Sequence, residues 1–118
     1  MRSETDLLHD IQERTSELLK TRANFTKEAF EGNRYVYQAT LRDIEIVGEA
    51  VKNLSDEFKS AHPNIPWRQI GRIRDLLAHV YFAIKPDRIW QIMDSDIAVL
   101  HSEVSQILET KSDSESLD

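Results

Sequence analysis

Apolar side chains recur along this chain at three- and four-residue spacing, with charged side chains filling the positions between them. Leu7, Leu8, Ile11, Thr15, Leu18, Leu19 and Arg22 make the first stripe and predict an amphipathic helix over about residues 4–23. Thr26 suits the cap of a short helical piece, Lys27 to Glu31, stopped by Gly32-Asn33. Leu41, Ile44, Gly48, Val51, Leu54 and Phe58 line one side of a long helix, predicted over about residues 34–61. A glycine inside a helix costs about 1 kcal/mol relative to alanine. Gly48 therefore marks a close approach between two helices.

The segment His62-Pro63-Asn64-Ile65-Pro66 is the clearest breaker, and Pro66 suits the first turn of the next helix. That helix is predicted over about residues 66–82, with Ile70, Ile73, Leu76, Leu77 and Val80 on its apolar side. Lys85-Pro86-Asp87 opens a last long helix whose stripe is Ile89, Met93, Ile97, Leu100, Val104 and Ile107. Residues 111–118 are polar, acidic and aperiodic, which predicts a disordered tail after a single domain at 1–110. Three glycines and three prolines in 118 residues are too few for the reversals of an all-β domain. The expected fold class is all-α: an antiparallel bundle of four main helices plus one short helix.

The chain has no cysteine, which removes disulfide, zinc-thiolate and thiol-nucleophile chemistry. No apolar run approaches the roughly 20 residues of a membrane span. The amino terminus lacks the apolar core of a secretory signal, so a soluble cytoplasmic protein is expected. The net charge is −6. It is unevenly spread, because residues 60–88 carry five basic and two acidic side chains between two acidic ends. A basic middle of this kind suits a local phosphate site, although a solvated helix face accounts for it equally.

Chemistry has few places to sit. Gly32, Gly48 and Gly71 are isolated, so no phosphate-binding glycine loop exists. The four histidines lack the partner spacing of a metal motif, and neither a metal nor a cofactor is expected. Glu45 and Glu49 share a helix side, but the Glu-x-x-His element of a di-metal bundle is missing. They are read as surface or interhelical charges. His9, His62 and His101 are read as surface or satisfied residues, and Trp67 and Trp90 as core or interface anchors. Tyr35 and Tyr37 stay open between packing and modification.

The informative stretch is Arg74-Asp75-Leu76-Leu77-Ala78-His79-Val80-Tyr81, preceded by Arg68 and Arg72. Arginine is a fixed cation shaped for phosphate oxygens. Histidine exchanges a proton near neutral pH. Together they can cleave RNA without a metal, the 2′-hydroxyl serving as nucleophile. A capping arginine and a half-buried histidine would have the same sequence. Five helical residues advance about 500°, which leaves Arg74 and His79 roughly 140° apart and Arg74 and Tyr81 within about 20°. Either the helix breaks near Ala78, or two chains complete one site across a two-fold axis.

The Arg-x4-His-x-Tyr motif of Arg74, His79 and Tyr81 resembles that of the HepT family of HEPN-domain toxins. The resemblance extends to Leu41-Arg42-Asp43-Ile44-Glu45-Ile46-Val47-Gly48-Glu49-Ala50, to Pro63-Asn64-Ile65-Pro66-Trp67-Arg68-Gln69-Ile70, and to Ile89-Trp90 with Asp96-Ile97. It covers about residues 6–108. It implies a HEPN-like homodimeric bundle and a toxin acting as a metal-independent endoribonuclease on tRNA or mRNA, with Arg74 and His79 as catalytic residues. It also implies a neighbouring MntA-like nucleotidyltransferase antitoxin that transfers AMP from ATP to Tyr81, and a larger hetero-oligomer with that partner. Family members often carry asparagine after the motif arginine. Here the residue is Asp75, whose carboxylate can hold Arg74 or His79 in place. Arg68 and Arg72 are candidates for steering RNA. The alternative is a catalytically silent HEPN subunit that binds a nucleotidyltransferase.

Overall fold

The computed structural model describes residues 3–80 and 84–116, the side chains of residue 80 and of residues 113–116 apart. The first helix, α1 (Glu4–Asn24), opens on a reciprocal cap. The Ser3 hydroxyl accepts from the Asp6 N–H, and the Asp6 carboxylate accepts from the Ser3 N–H. Thr26 caps α2 (Lys27–Gly32) as its sequence predicts, and Asn33 caps α3 (Arg34–Asn53).

The single helix expected over 34–61 is in fact two. Leu54 turns extended, and Ser55 caps a separate α4 (Asp56–Ala61) by accepting from the Phe58 N–H at 3.0 Å. The Ser55 N–H donates to Glu4 Oε1 at 2.7 Å, which pins the break to the start of α1. Ser55 followed by Asp56 and Glu57 is a strong start signal, with acids where the helix dipole favours them.

The motif helix is α5 (Trp67–Val80). Leu76, expected on its apolar side, is 49% exposed. It lies about 100° round the helix from Leu77, whose own direction faces α3. After Lys85 the chain forms α6 (Pro86–Ile92), a π-helical turn (Met93–Ile97) and α7 (Ala98–Ser116) as one continuous rod. The widened turn frees Asp94 to reach Arg22 at 2.8 Å and Asp96 to reach Gln69 at 3.2 Å. Beyond it Leu108 is buried and Ile107 only partly so. The helix runs on to Ser116. No glycine or proline stops it, and Lys111 Nζ reaches Thr5 Oγ1 at 3.3 Å.

The long helices pack antiparallel. Arg14 meets Asp43 across α1 and α3, Gly48 meets Arg74 across α3 and α5, and Thr15 meets His101 across α1 and α7. The helices therefore stand in the order α5, α3, α1, α7. A single core joins Leu8, Ile11, Val47, Ile73, Leu100 and Val104. Among the described residues there is no strand, and no helix is long and apolar enough to cross a membrane.

Candidate active site

Arg74 is held where α5 crosses α3. Its backbone lies so near Gly48 that a Cβ at position 48 would overlap its own Cβ and approach its Cγ to 2.8 Å. Glycine is what permits the crossing, as its place in the sequence predicted. The guanidinium then pairs with Glu49 Oε2 at 2.8 Å and with Asp75 Oδ1 at 3.4 Å. Its side chain is 27% exposed, and its Nε is buried with no partner among the described residues. Two carboxylates thus use part of a five-donor group, and Arg74 lines an open groove. That groove, about 460 Å³, runs between α1, α3 and α5 beside Asp10, Arg42 and Glu45.

Asp75 faces away from that groove and ties two helices together. Its Oδ1 accepts from Lys52 Nζ on α3 at 2.7 Å as well as from Arg74. The hydrogen bond from Lys52, aided by Arg74, holds its carboxyl below the ordinary value of 3.8. Its charge is thereby largely countered by two neighbouring cations. Of the motif residues, it is Arg74 that its carboxylate contacts, at 3.4 Å.

His79 sits in the last turn of α5, exposed, in a groove of about 300 Å³ shared with Arg72, Asp75 and Leu76. Among the described residues nothing hydrogen-bonds its ring. The helix is unbroken through Ala78, so the roughly 140° between Arg74 and His79 stands. One chain does not bring the two together. Arg68 and Arg72 share the outer side of α5 with His79, and both are exposed. Tyr81 lies outside the described residues.

Glu49, read as a surface or interhelical charge, is an interhelical one, and its partner, which the sequence did not name, is the motif arginine. The adjacency of Glu49 to a glycine inside a long helix was the available signal. Glu45 pairs with Arg42 at 2.8 Å on its own helix. Of the other candidates, Trp67 is nearly buried and donates from Nε1 to the His62 carbonyl at 3.0 Å. Trp90 packs on Phe30 and under the Arg22 guanidinium. Tyr37 stacks edge-on to Phe30, whereas Tyr35 is 86% exposed. Among the described residues no group of three His, Asp or Glu side chains is placed to hold a metal ion.

Comparison with known proteins gives a consistent result. The profile of the HepT-like family, described as ribonuclease HepT-like, matches residues 11–107. A Thermococcus cleftensis protein named "Probable ribonuclease HepT" is 35% identical over 106 residues, covering 90% of this chain and 96% of its own. A Methanocaldococcus jannaschii protein named as a "Putative RNase" is 33% identical over 86% of this chain and 84% of its own. A Caldanaerobacter subterraneus protein with the same description is 33% identical over 92% of this chain and 97% of its own. No solved structure matches the chain.

Proposed function

This chain belongs to the HepT-like ribonuclease family, and from that premise we propose that it is a toxin that cleaves RNA without a metal at a site shared by two copies. The observation that carries the two-copy reading is the unbroken α5, which points Arg74 and His79 to different sides of one chain. A two-fold partner supplies the missing half by setting its His79 beside this chain's Arg74. Leu76, a large apolar side chain exposed next to His79, is suited to such a contact.

In the proposed reaction the RNA 2′-hydroxyl attacks the adjacent phosphorus and the bond to the 5′-oxygen breaks. A 2′,3′-cyclic phosphate and a free 5′-hydroxyl result. The His79 imidazole removes the proton from the attacking oxygen or delivers one to the leaving oxygen. The Arg74 guanidinium meets the charge that builds on the non-bridging oxygens. Glu49 acts as a positioning residue that keeps that guanidinium directed across the helix crossing.

Silencing follows from the tyrosine two residues after His79. A nucleotidyltransferase antitoxin of the MntA type transfers AMP from ATP to the Tyr81 phenol, forming an oxygen–phosphorus bond and releasing pyrophosphate. The added phosphate brings negative charge and bulk beside the groups that bind the RNA backbone.

The test is cleavage of total RNA, tRNA included, by unmodified protein with EDTA present. His79→Ala and Arg74→Ala should each lower the rate by roughly 10²-fold or more while circular dichroism stays helical. Mixing the two inactive variants should restore one intact site per mixed dimer. Cleavage undiminished in either variant removes that residue from the mechanism, and absence of restoration removes the two-chain site. Arg74's engagement by two carboxylates favours a second reading, a silent subunit that only binds the nucleotidyltransferase. Growth arrest on expressing this chain alone, relieved by His79→Ala, excludes that reading.

A further inference from the structure

An open groove of about 870 Å³ runs between α4 and α5, on the side of the motif helix that carries His79. Lys52, Lys59, Arg68 and Arg72 border it, against only Asp56 and Asp75. A local surplus of two positive charges is unusual in a chain whose net charge is −6. The four cations are not equivalent. Lys52 is committed to Asp75 at 2.7 Å, and Lys59 lies 3.4 Å from the Val51 carbonyl and 4.0 Å from Asp56. Arg68 and Arg72 are exposed and have no carboxylate partner among the described residues.

The two arginines are one helical turn apart, and Arg72 with Asp75 also lines the smaller groove that holds His79. Arg68 and His79 are eleven residues apart, about 16 Å along α5, and share its outer side. That length spans several phosphates of a strand. Both guanidiniums have all five donors available and are shaped for bidentate contact with phosphate oxygens. The other wall, α4, presents Lys59 across the same space.

We propose that this groove is a strand-binding tract that holds the backbone of the RNA flanking the cleaved phosphate, with Arg68 and Arg72 as its phosphate contacts. The proposal rests on the ribonuclease reading and extends it from the bond that is cut to the strand that leads to it. The contacts are to backbone, so the tract fixes register and affinity and leaves base choice to other parts of the surface. It also offers an acidic protein a way to bind RNA, by setting two unpaired arginines along one edge of the helix that carries the histidine.

The experiment uses the full chain carrying His79→Ala, which binds without cutting, and total tRNA in filter-binding titrations over a potassium chloride series. Arg68→Glu and Arg72→Glu, singly and together, are compared with Lys20→Glu on α1, which changes the net charge as much as either single variant. Expected are a dissociation constant raised at least about tenfold in the double variant and a salt slope reduced by about 0.7–0.9 for each arginine removed. Lys20→Glu should leave both within about twofold. Arg68→Gln with Arg72→Gln, read beside circular dichroism, keeps the result interpretable where charge reversal disturbs folding. Unchanged affinity and slope in the groove variants overturn the tract while leaving cleavage by the unmodified chain as the measure of the ribonuclease reading. An unmodified chain that neither binds nor cuts RNA overturns both. Lost capture of the nucleotidyltransferase with RNA affinity intact assigns the groove to a protein partner and overturns the tract.

Discussion

Arg74 owes its position to an atom absent from the neighbouring helix. With hydrogen at the Gly48 Cα, α3 and α5 close until the Arg74 Cβ occupies the space a methyl group would take. Gly48→Ala should gain about 1 kcal/mol of helix propensity and lose more, since overpacking costs typically about 1–3 kcal/mol. The expected outcome is a lower urea midpoint together with a cleavage rate reduced beyond what the unfolded fraction explains, because the guanidinium moves with its helix. Equal midpoints and equal rates would show that the crossing has room to spare. The glycine's meaning was legible from its place in the stripe of Ile44 and Val51. Its partner was not, because which residue of α5 faces Gly48 depends on a register that neither helix encodes alone. The partner of Glu49 was hidden for the same reason.

Between α3 and α5 the charged tie is Lys52–Asp75–Arg74, and its pH dependence has a definite sign. Asp75 has a folded pKa depressed below 3.8, first by the Lys52 hydrogen bond and then by Arg74. Its contribution to stability is therefore complete above that value and is lost as pH falls through the depressed one. Asp75→Asn should be less stable than the parent at neutral pH, and the difference in urea midpoint should close as pH drops below about 3.8. A difference that persists at the lowest pH would assign the effect to packing instead. The helices themselves were largely readable, since caps and breakers bound all but one of them. The exception, the division of the expected 34–61 helix, turned on Ser55, whose start signal competes with a stripe that runs through it without interruption from Val51 to Phe58. Periodicity alone carries no information on whether a helix bends away there. The exposure of Leu76 was hidden in a similar way, because an apolar residue on a helix flank has the same spacing whether it meets the core or a second chain.

Taken as a whole, the molecule carries its motif residues Arg74 and His79 on an outer helix. The order α5, α3, α1, α7 puts the motif helix at one edge, packed on α3 and open on its opposite side. Composition predicted a bundle, and the two proline breakers predicted where the motif helix lies within it. An unbroken α5 sets Arg74 and His79 roughly 140° apart, so their spacing along the chain says nothing of a common site, and the two-copy arrangement is part of the proposed function. The layering has a further consequence at α4. This six-residue helix contributes no buried side chain, and it leans on the rest through Phe58, whose ring lies 6.1 Å from Trp67 and 4.6 Å from His62. Such an element detaches in local openings far smaller than global unfolding. In hydrogen–deuterium exchange the amides of 56–61 should therefore exchange orders of magnitude faster than those of 44–51. Comparable rates in the two segments would show α4 to be part of the cooperative core. As the far wall of the arginine groove, α4 ties the width of that groove to its own local opening, and an occupying strand should register as slowed exchange of the 56–61 amides.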